Sequence, residues 1–158
     1  MSESSEPRLM KPTTPISRQM DRLTRGIVAG LTRLGISLRG SRVLSVRGRK
    51  SGEWRSTPVN VLSFEGSRYL VAPRGHTQWV RNMRAAGGGQ LRLGRRVENF
   101  TATELPDDQK QELLREYLRR WKIEVGMFFE GVGPDAPAEK LRAIAPGYPV
   151  FRITTRPE

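Results

Sequence analysis

One short stretch of the sequence holds most of the side chains that could bind an anion. Residues 47–52 read RGRKSG, and Arg55 and Thr57 follow two apart on the next predicted strand. Guanidinium forks, an ammonium group, a hydroxyl and glycines that admit close backbone N–H groups are what a phosphate requires. A basic turn taken alone is more often a solvated hairpin tip. Here the positive charges are so crowded that they repel one another, which favours a bound anion.

A second candidate lies in residues 72–76, which read APRGH and precede a short predicted helix. A helix N-terminus after a glycine can bind an anion or a carbonyl oxygen, although an ordinary strand-to-helix turn explains the same residues equally well. Within the helix, Trp79 could cover an aromatic ring or fill the core, and the core is the safer interpretation for a lone tryptophan. The amide of Asn82 could bind a polar ligand group or a loop carbonyl.

Several other chemistries are excluded by composition. The chain has no cysteine and one histidine, His76. Thiolate nucleophiles, disulfides, cysteine-based metal centres and multi-histidine metal sites are therefore ruled out. No acid–base partner for His76 can be recognised in the sequence, so no catalytic side chain and no metal site are predicted.

The formal charge of +12, from 28 Lys and Arg against 16 Asp and Glu, is large for 158 residues. It predicts an anionic partner, which could be nucleic acid, an anionic membrane surface or a polyanionic small molecule. Charge alone does not choose among them. The basic residues crowd between Arg39 and Arg55, where only Glu53 opposes them, so the positive field is focused on one region.

The elements that must position these residues are mostly short strands. Short turns between them indicate antiparallel hairpins. The predicted strands are Arg42–Arg47, Trp54–Phe64, Tyr69–Ala72, Gln90–Leu93, Val97–Thr103 and a closing strand Tyr148–Ile153.

Two helices are predicted among these strands. The short one has Thr77 as its N-cap and is stopped by the triple glycine Gly87–Gly89. The long one starts at Pro106 and ends before Gly126, and a glycine- and proline-rich connection follows it. The predicted fold class is mainly β within the α+β type: a small barrel of antiparallel strands with helical additions.

The N-terminal part has a different character. Residues 1–16 carry few apolar side chains and are predicted to be a flexible tail before a single domain at 17–158. Arg18–Leu34 has the spacing of a basic amphipathic helix, which either covers one end of the barrel, the favoured interpretation, or contacts an anionic membrane surface. Neither a membrane-spanning apolar run nor a secretory signal is recognisable, so a cytoplasmic protein is expected.

Four segments together resemble one known family. They are GRKSGEWRSTPV, YLVAPRG, QWVRNMRAAGGGQLRL and YPVFRI, which extend in order from about Ser41 to Ile153. In combination they are similar to the deazaflavin-dependent nitroreductase family of actinobacteria. That family has a split β-barrel, flavin-binding fold and uses coenzyme F-420, an 8-hydroxy-5-deazaflavin with a phosphate and polyglutamate tail.

The resemblance implies a role for each matching position. The anionic tail would be held by Arg49, Lys50, Ser51 and Arg55. The ring and phosphate region would be lined by Thr57, Pro58, Ala72, Arg74 and Gly75, and completed by Trp79 and Asn82. The reduced deazaflavin would transfer a hydride to a quinone, nitroaromatic or enone, so no side-chain nucleophile is needed. The acceptor would lie in an apolar pocket roofed by Phe128, Phe129 and Tyr148.

Two departures from the family pattern keep alternatives open. The loop between Arg74 and Trp79 is shorter than in better-known members, and residues 127–131 read MFFEG where some relatives supply tyrosines. A differently loaded or non-catalytic barrel that binds FMN, heme or a fatty acyl chain is the first alternative. A nucleic-acid-binding barrel is the last, because the basic strands mostly lack the interleaved aromatic residues that stack on bases.

Overall fold

The structure, a computed structural model, describes residues 41–155. Their six strands form a closed barrel of antiparallel pairs in the order β1-β2-β3-β6-β5-β4. This confirms the predicted fold class. The strands are β1 (Ser41–Arg47), β2 (Trp54–Phe64), β3 (Ser67–Val71), β4 (Gly88–Leu93), β5 (Arg96–Glu104) and β6 (Val150–Thr155), and the helices are α1 (Gln78–Ala86), α2 (Gln111–Val125) and α3 (Ala138–Ile144).

The predicted flexible tail and the predicted basic helix at Arg18–Leu34 both lie outside the described residues. The predicted membrane contact rests on that helix and lies outside them too. Within residues 41–155, every helix is too short or too polar to cross a bilayer.

Strand β2 changes partners halfway along its length. Its first part, Trp54–Asn60, pairs with β1, and its second part, Val61–Phe64, pairs with β3. Among the described residues, no strand pairs with the other edge of Trp54–Asn60. Pro58 lies in this part, where a residue without an N–H group is tolerated because one side of the strand has no ladder to join. The barrel therefore has an open strand edge directly after the basic hairpin.

The triple glycine serves two elements rather than one. Gly87 ends α1 in the left-handed conformation, with φ of 75°, and donates its N–H to the carbonyl of Met83. Gly88 and Gly89 already belong to β4. A Cβ at Gly88 would lie 2.3 Å from the carbonyl oxygen of Phe100, and one at Gly89 would lie 2.4 Å from that of Ser45. The prediction that all three residues stop the helix was wrong, because two of them let neighbouring strands approach.

Helix α2 begins later than the sequence predicted. A 3-10 turn at Asp107–Gln109 comes first, and the α-helix starts at Gln111. The buried Lys110 lies at this break, and its ammonium group reaches the carbonyl of Ala145 at 3.0 Å and the carboxylate of Asp107 at 2.8 Å. The predicted buried face of the helix is confirmed and consists of Leu113, Leu114, Tyr117, Leu118, Trp121 and Val125.

The buried residues form two apolar clusters. One joins the strands to α1 and contains Leu44, Leu70, Val80 and Phe100 among others. The other joins α2 and α3 to residues of β2, β3 and β6. Helix α3 was missed, since the sequence predicted only a connection there. It is seven residues long, follows Pro137, and buries a single side chain, Leu141, so its periodicity is too brief to recognise.

Candidate functional site

A cavity of about 580 Å³ lies against the open half of β2, the β1–β2 hairpin and the start of α1. Ligand pockets for cofactors and drug-sized molecules span about 300–1,000 Å³. Most residues predicted to bind the cofactor line this cavity: Arg49, Lys50, Ser51, Arg55, Thr57, Pro58, Arg74, Trp79 and Asn82. The fold thus brings together side chains from three separate segments of the chain.

Two predicted residues, Ala72 and Gly75, are absent from the cavity wall. Ala72 is buried in the core. Gly75 has φ of +84° and donates its N–H to the Ala72 carbonyl at 3.1 Å, while its own carbonyl accepts from the N–H of Thr77 at 2.9 Å. These two residues form the tight loop that brings Arg74 and Thr77 to the cavity.

The cations of the hairpin divide into engaged and unengaged groups. Arg47 donates to the carbonyl of Gly52 at 2.8 Å and lies over the Trp54 ring, 4.5 Å from its centroid. Within residues 41–155, neither Lys50 nor Arg55 forms an ion pair, and both line the cavity. Two cations at one end of a cavity, for which the described residues supply no carboxylate, provide a binding place for an anionic group.

Arg49 is held by α1 rather than directed at the cavity alone. Its backbone N–H and its guanidinium donate to Oδ1 of Asn82 at 3.0 and 2.8 Å, and the guanidinium also donates to Gln78 at 2.9 Å. Asn82 is 5% exposed. Its amide oxygen is therefore used within the protein, so its amide nitrogen is the group it can offer a ligand.

Two hydroxyl groups along the cavity are buried and have no hydrogen-bond partner among the described residues. They belong to Thr77 and Tyr117. Thr77 occupies the predicted N-cap position of α1 in an extended conformation, yet its side chain makes no capping hydrogen bond. Nearly all buried polar groups in proteins are paired, so two unpaired hydroxyls on the same cavity indicate a ligand that supplies their partners.

Burial raises the pKa of the Tyr117 hydroxyl well above its usual value. The side chain of Asn60, which is 1% exposed and also lines the cavity, lowers that pKa in part. Within the part of the chain that the structure describes, this pair does not reach hydrogen-bond geometry and the hydroxyl has no other partner. Sequence reasoning assigned neither residue to the site. Two features of the sequence could have indicated them: Asn60 is an asparagine within an apolar strand, and Tyr117 is a tyrosine on the buried face of a helix.

The three residues predicted to roof an acceptor pocket lie outside the cavity wall. Phe129 is fully buried and stacks on Tyr148, with ring centroids 4.1 Å apart. The Tyr148 hydroxyl donates to the carbonyl of Phe128. Phe128 is half-buried and lies near the cavity, since the guanidinium of Arg74 is 5.8 Å from its ring centroid.

His76 takes part in a separate polar cluster. Arg84 binds both carboxylate oxygens of Glu104 at 2.7 Å and lies 3.2 Å from Nδ1 of His76. The other ring nitrogen of His76 lies 3.0 Å from the carbonyl oxygen of Pro146. The hydrogen bond from Arg84 is the main cause of a lowered pKa at Glu104. This cluster joins the loop after β3 to the segment before β6.

Comparison with known proteins adds a family and several structural neighbours. The model of a family described as F420H(2)-dependent quinone reductase matches residues 16–124. A structure titled F420-H2 Dependent Reductase (FDR-A) is 20% identical, with a TM-score of 0.52 over 73% of this chain and 95% of that one. No curated protein sequence matches.

Two further solved structures share the architecture. A protein of unknown function from Agrobacterium tumefaciens is 13% identical, with a TM-score of 0.53 over 96% of this chain and 59% of that one. A putative pyridoxamine 5'-phosphate oxidase from Listeria innocua is also 13% identical, with a TM-score of 0.50 over 85% of this chain and 94% of that one. At such low identity these likenesses concern the fold alone.

Proposed function

Because the chain belongs to the F420H(2)-dependent quinone reductase family, we propose that it reduces an apolar electrophilic acceptor, a quinone first of all, with nitroaromatics and enones as further candidates. The protein is an oxidoreductase that depends on coenzyme F-420. The observation that best supports the proposal is the cavity itself, in which residues 41–155 provide no carboxylate for Lys50 and Arg55 and no hydrogen-bond partner for two buried hydroxyls.

The dimensions of the cavity suit an elongated ligand with one anionic end. Arg55 and Asn60 both line it and are five residues apart on β2. At about 3.3 Å per residue they are separated by about 17 Å. A phosphate-bearing tail would lie beside Lys50 and Arg55, and the fused rings would extend along the open edge of β2.

We assign each part of the cavity wall to one part of the coenzyme. Lys50 and Arg55 would hold the phosphate, and the N-terminus of α1 with the unpaired Thr77 hydroxyl would bind a polar ring or ribityl oxygen. Trp79 presents an aromatic face that would keep water from the rings. Thr57 and Pro58 lie on the strand edge that pairs with no strand among residues 41–155, so backbone groups facing that edge can reach a ligand.

When bound, the reduced coenzyme supplies a hydride from C5 of its deazaflavin ring. The side chains of this protein then have to position the acceptor against that carbon and exclude water. The apolar residues Val59, Val71 and Pro73 also line the cavity and fit an apolar acceptor. We place the mouth of the acceptor pocket towards Phe128, which adjoins the cavity through Arg74.

The test is a fluorescence titration of the purified full-length protein with reduced coenzyme F-420, followed by turnover with menadione as the quinone. Saturable binding at micromolar coenzyme and menadione-dependent oxidation are expected. A parallel titration with FMN tests the alternative cofactor. If the protein binds FMN and shows no affinity for the deazaflavin, the proposal is wrong.

A further inference from the structure

The Tyr117 hydroxyl belongs to a different part of the cavity from the basic hairpin. Tyr117 lies on α2, and the cavity residue associated with it, Asn60, ends the open half of β2. Arg55 lies at the beginning of that half, and Lys50 precedes it in the β1–β2 hairpin. The cavity therefore has the hairpin cations towards one end and a deeply buried polar pair towards the other, with Asn60 at 1% and Tyr117 at 0% exposure, and Arg74 also lines the wall.

A purely structural role explains the Tyr117 ring but not its hydroxyl. The ring packs against Trp121 and Phe129, with centroid distances of 5.1 and 6.2 Å, and this packing fixes its orientation. Phenylalanine would make the same contacts. Among residues 41–155 only the Asn60 side chain approaches the hydroxyl, without reaching hydrogen-bond geometry, and a buried polar group without a good partner destabilises a folded protein. Its presence is explained if a ligand supplies the missing partner.

We infer that the Tyr117 hydroxyl donates a hydrogen bond to the oxygen atom of the hydride acceptor and thereby selects acceptors with a carbonyl or nitro oxygen. The inference rests on the proposed function, since it names a residue that binds the acceptor of that reaction. Asn60 also lines the cavity and would border the acceptor oxygen from the strand side.

Two properties of the hydroxyl suit this role. Because burial raises its pKa, the group keeps its proton at neutral and mildly alkaline pH and remains a donor. Addition of a hydride to a quinone breaks the C–H bond of the reduced coenzyme and forms a C–H bond on the quinone ring. The displaced π electrons move onto the quinone oxygen, and the resulting oxyanion later takes a proton from water. A donor fixed at that oxygen by aromatic packing binds the resulting oxyanion more tightly than the neutral carbonyl, which lowers the barrier.

The position of Tyr117 in the cavity indicates that its hydroxyl binds the acceptor and not the coenzyme tail. The two cations proposed to hold the anionic tail, Lys50 and Arg55, lie at the hairpin, and Arg55 is about 17 Å from Asn60 at 3.3 Å per strand residue. An uncharged donor in a buried apolar setting suits a neutral oxygen that gains charge only during the reaction. Tyr117 is therefore assigned to the acceptor.

The experiment compares Tyr117→Phe with Tyr69→Phe in the full-length protein. Tyr69 is half-buried on β3 and lies outside the cavity wall, so its variant loses a hydroxyl elsewhere. Three quantities are measured: the Kd of reduced coenzyme F-420, kcat/KM for menadione, and the melting temperature. Tyr117→Phe is expected to reduce kcat/KM about tenfold or more, with the coenzyme Kd within twofold of wild type and the melting temperature equal or higher. Tyr69→Phe is expected to retain the wild-type kcat/KM.

The outcomes separate the inference from the function on which it rests. An unchanged kcat/KM in Tyr117→Phe overturns the inference while leaving the reductase function intact. A loss of coenzyme affinity as large as the loss of kcat/KM also overturns it, because the hydroxyl would then bind the coenzyme. If the wild-type protein itself neither binds the coenzyme nor reduces menadione, the proposed function fails before Tyr117 is tested.

Discussion

The backbone N–H and the guanidinium of Arg49 both donate to a single atom, Oδ1 of Asn82, at 3.0 and 2.8 Å. Arg49 lies in the β1–β2 hairpin and Asn82 lies on α1, 33 residues later. The two bonds therefore join the cationic end of the cavity to the helix that carries Trp79. The position of the proposed phosphate site and that of the aromatic wall are coupled through this pair.

Removal of the Asn82 side chain should destabilise the protein and weaken coenzyme binding. Asn82→Ala leaves two donors of Arg49 without their acceptor in a half-buried place, and we expect a loss of about 1–3 kcal/mol in the free energy of unfolding. A double-mutant cycle with Arg49→Ala, followed by urea denaturation, should give a coupling of about 1 kcal/mol. Gln78→Ala, which removes one exposed acceptor, is the control and should change stability by less than about 0.5 kcal/mol. Additive effects in the cycle would contradict the coupling.

Lys50→Ala and Arg55→Ala should each weaken coenzyme binding. Loss of a charge-assisted contact to the phosphate is expected to reduce the binding free energy by about 1–3 kcal/mol. Arg95→Ala provides a matched control, since it removes the same charge from the exposed turn between β4 and β5. Fluorescence titration measures all three affinities at one salt concentration. Equal affinities in all three variants would contradict the assignment of the coenzyme tail to this hairpin.

Substitution at Gly89 should disrupt the barrel. In Gly89→Ala the new Cβ would lie 2.4 Å from the carbonyl oxygen of Ser45, so β1 and β4 must separate. The expected loss in the free energy of unfolding is about 3 kcal/mol or more. Gly126→Ala is the control, because a Cβ there meets no atom within 4 Å and its φ of −54° suits alanine. That variant should stay within about 1 kcal/mol of wild type by thermal or urea denaturation. A well-folded Gly89→Ala protein of wild-type stability would contradict the close strand approach.

Glu104 should make the free energy of unfolding depend on pH in the acidic range. The hydrogen bond from Arg84 lowers the pKa of Glu104 in the folded protein from its ordinary value of 4.5. The unfolded state therefore binds a proton at a higher pH than the folded state does. The stabilisation is present above about pH 4.5 and is lost as the pH falls through the folded-state pKa.

Glu104→Gln should therefore be less stable than wild type at pH 7, and the difference should shrink between pH 4.5 and pH 3. Unfolding by urea at a series of pH values measures it. Glu98→Gln serves as a comparison, because it removes the carboxylate of another ion pair of β5, the one with Arg68. A constant difference between wild type and Glu104→Gln across this range would contradict the linkage.

The sequence by itself determined those features of the protein that depend on residues close together in the chain. Alternating patterns and short turns indicated the antiparallel strands, and all six lie close to their predicted bounds. The spacing of apolar residues in α2 marked its buried face correctly, because helical periodicity alone decides which side chains share one side. The order of the basic hairpin, the loop after β3 and the residues of α1 was enough to indicate the family.

Only the tertiary structure decided how those segments meet. The partner of Arg49 is Asn82 and the neighbour of Asn60 is Tyr117, pairs that are far apart in sequence and meet only because the barrel closes and α2 packs against it. Gly88 and Gly89 could not be separated from Gly87 in sequence, since the atoms that exclude a side chain belong to other strands. The burial of the Tyr117 hydroxyl, on which the assignment of the acceptor depends, is likewise a property of packing and is invisible in the local sequence.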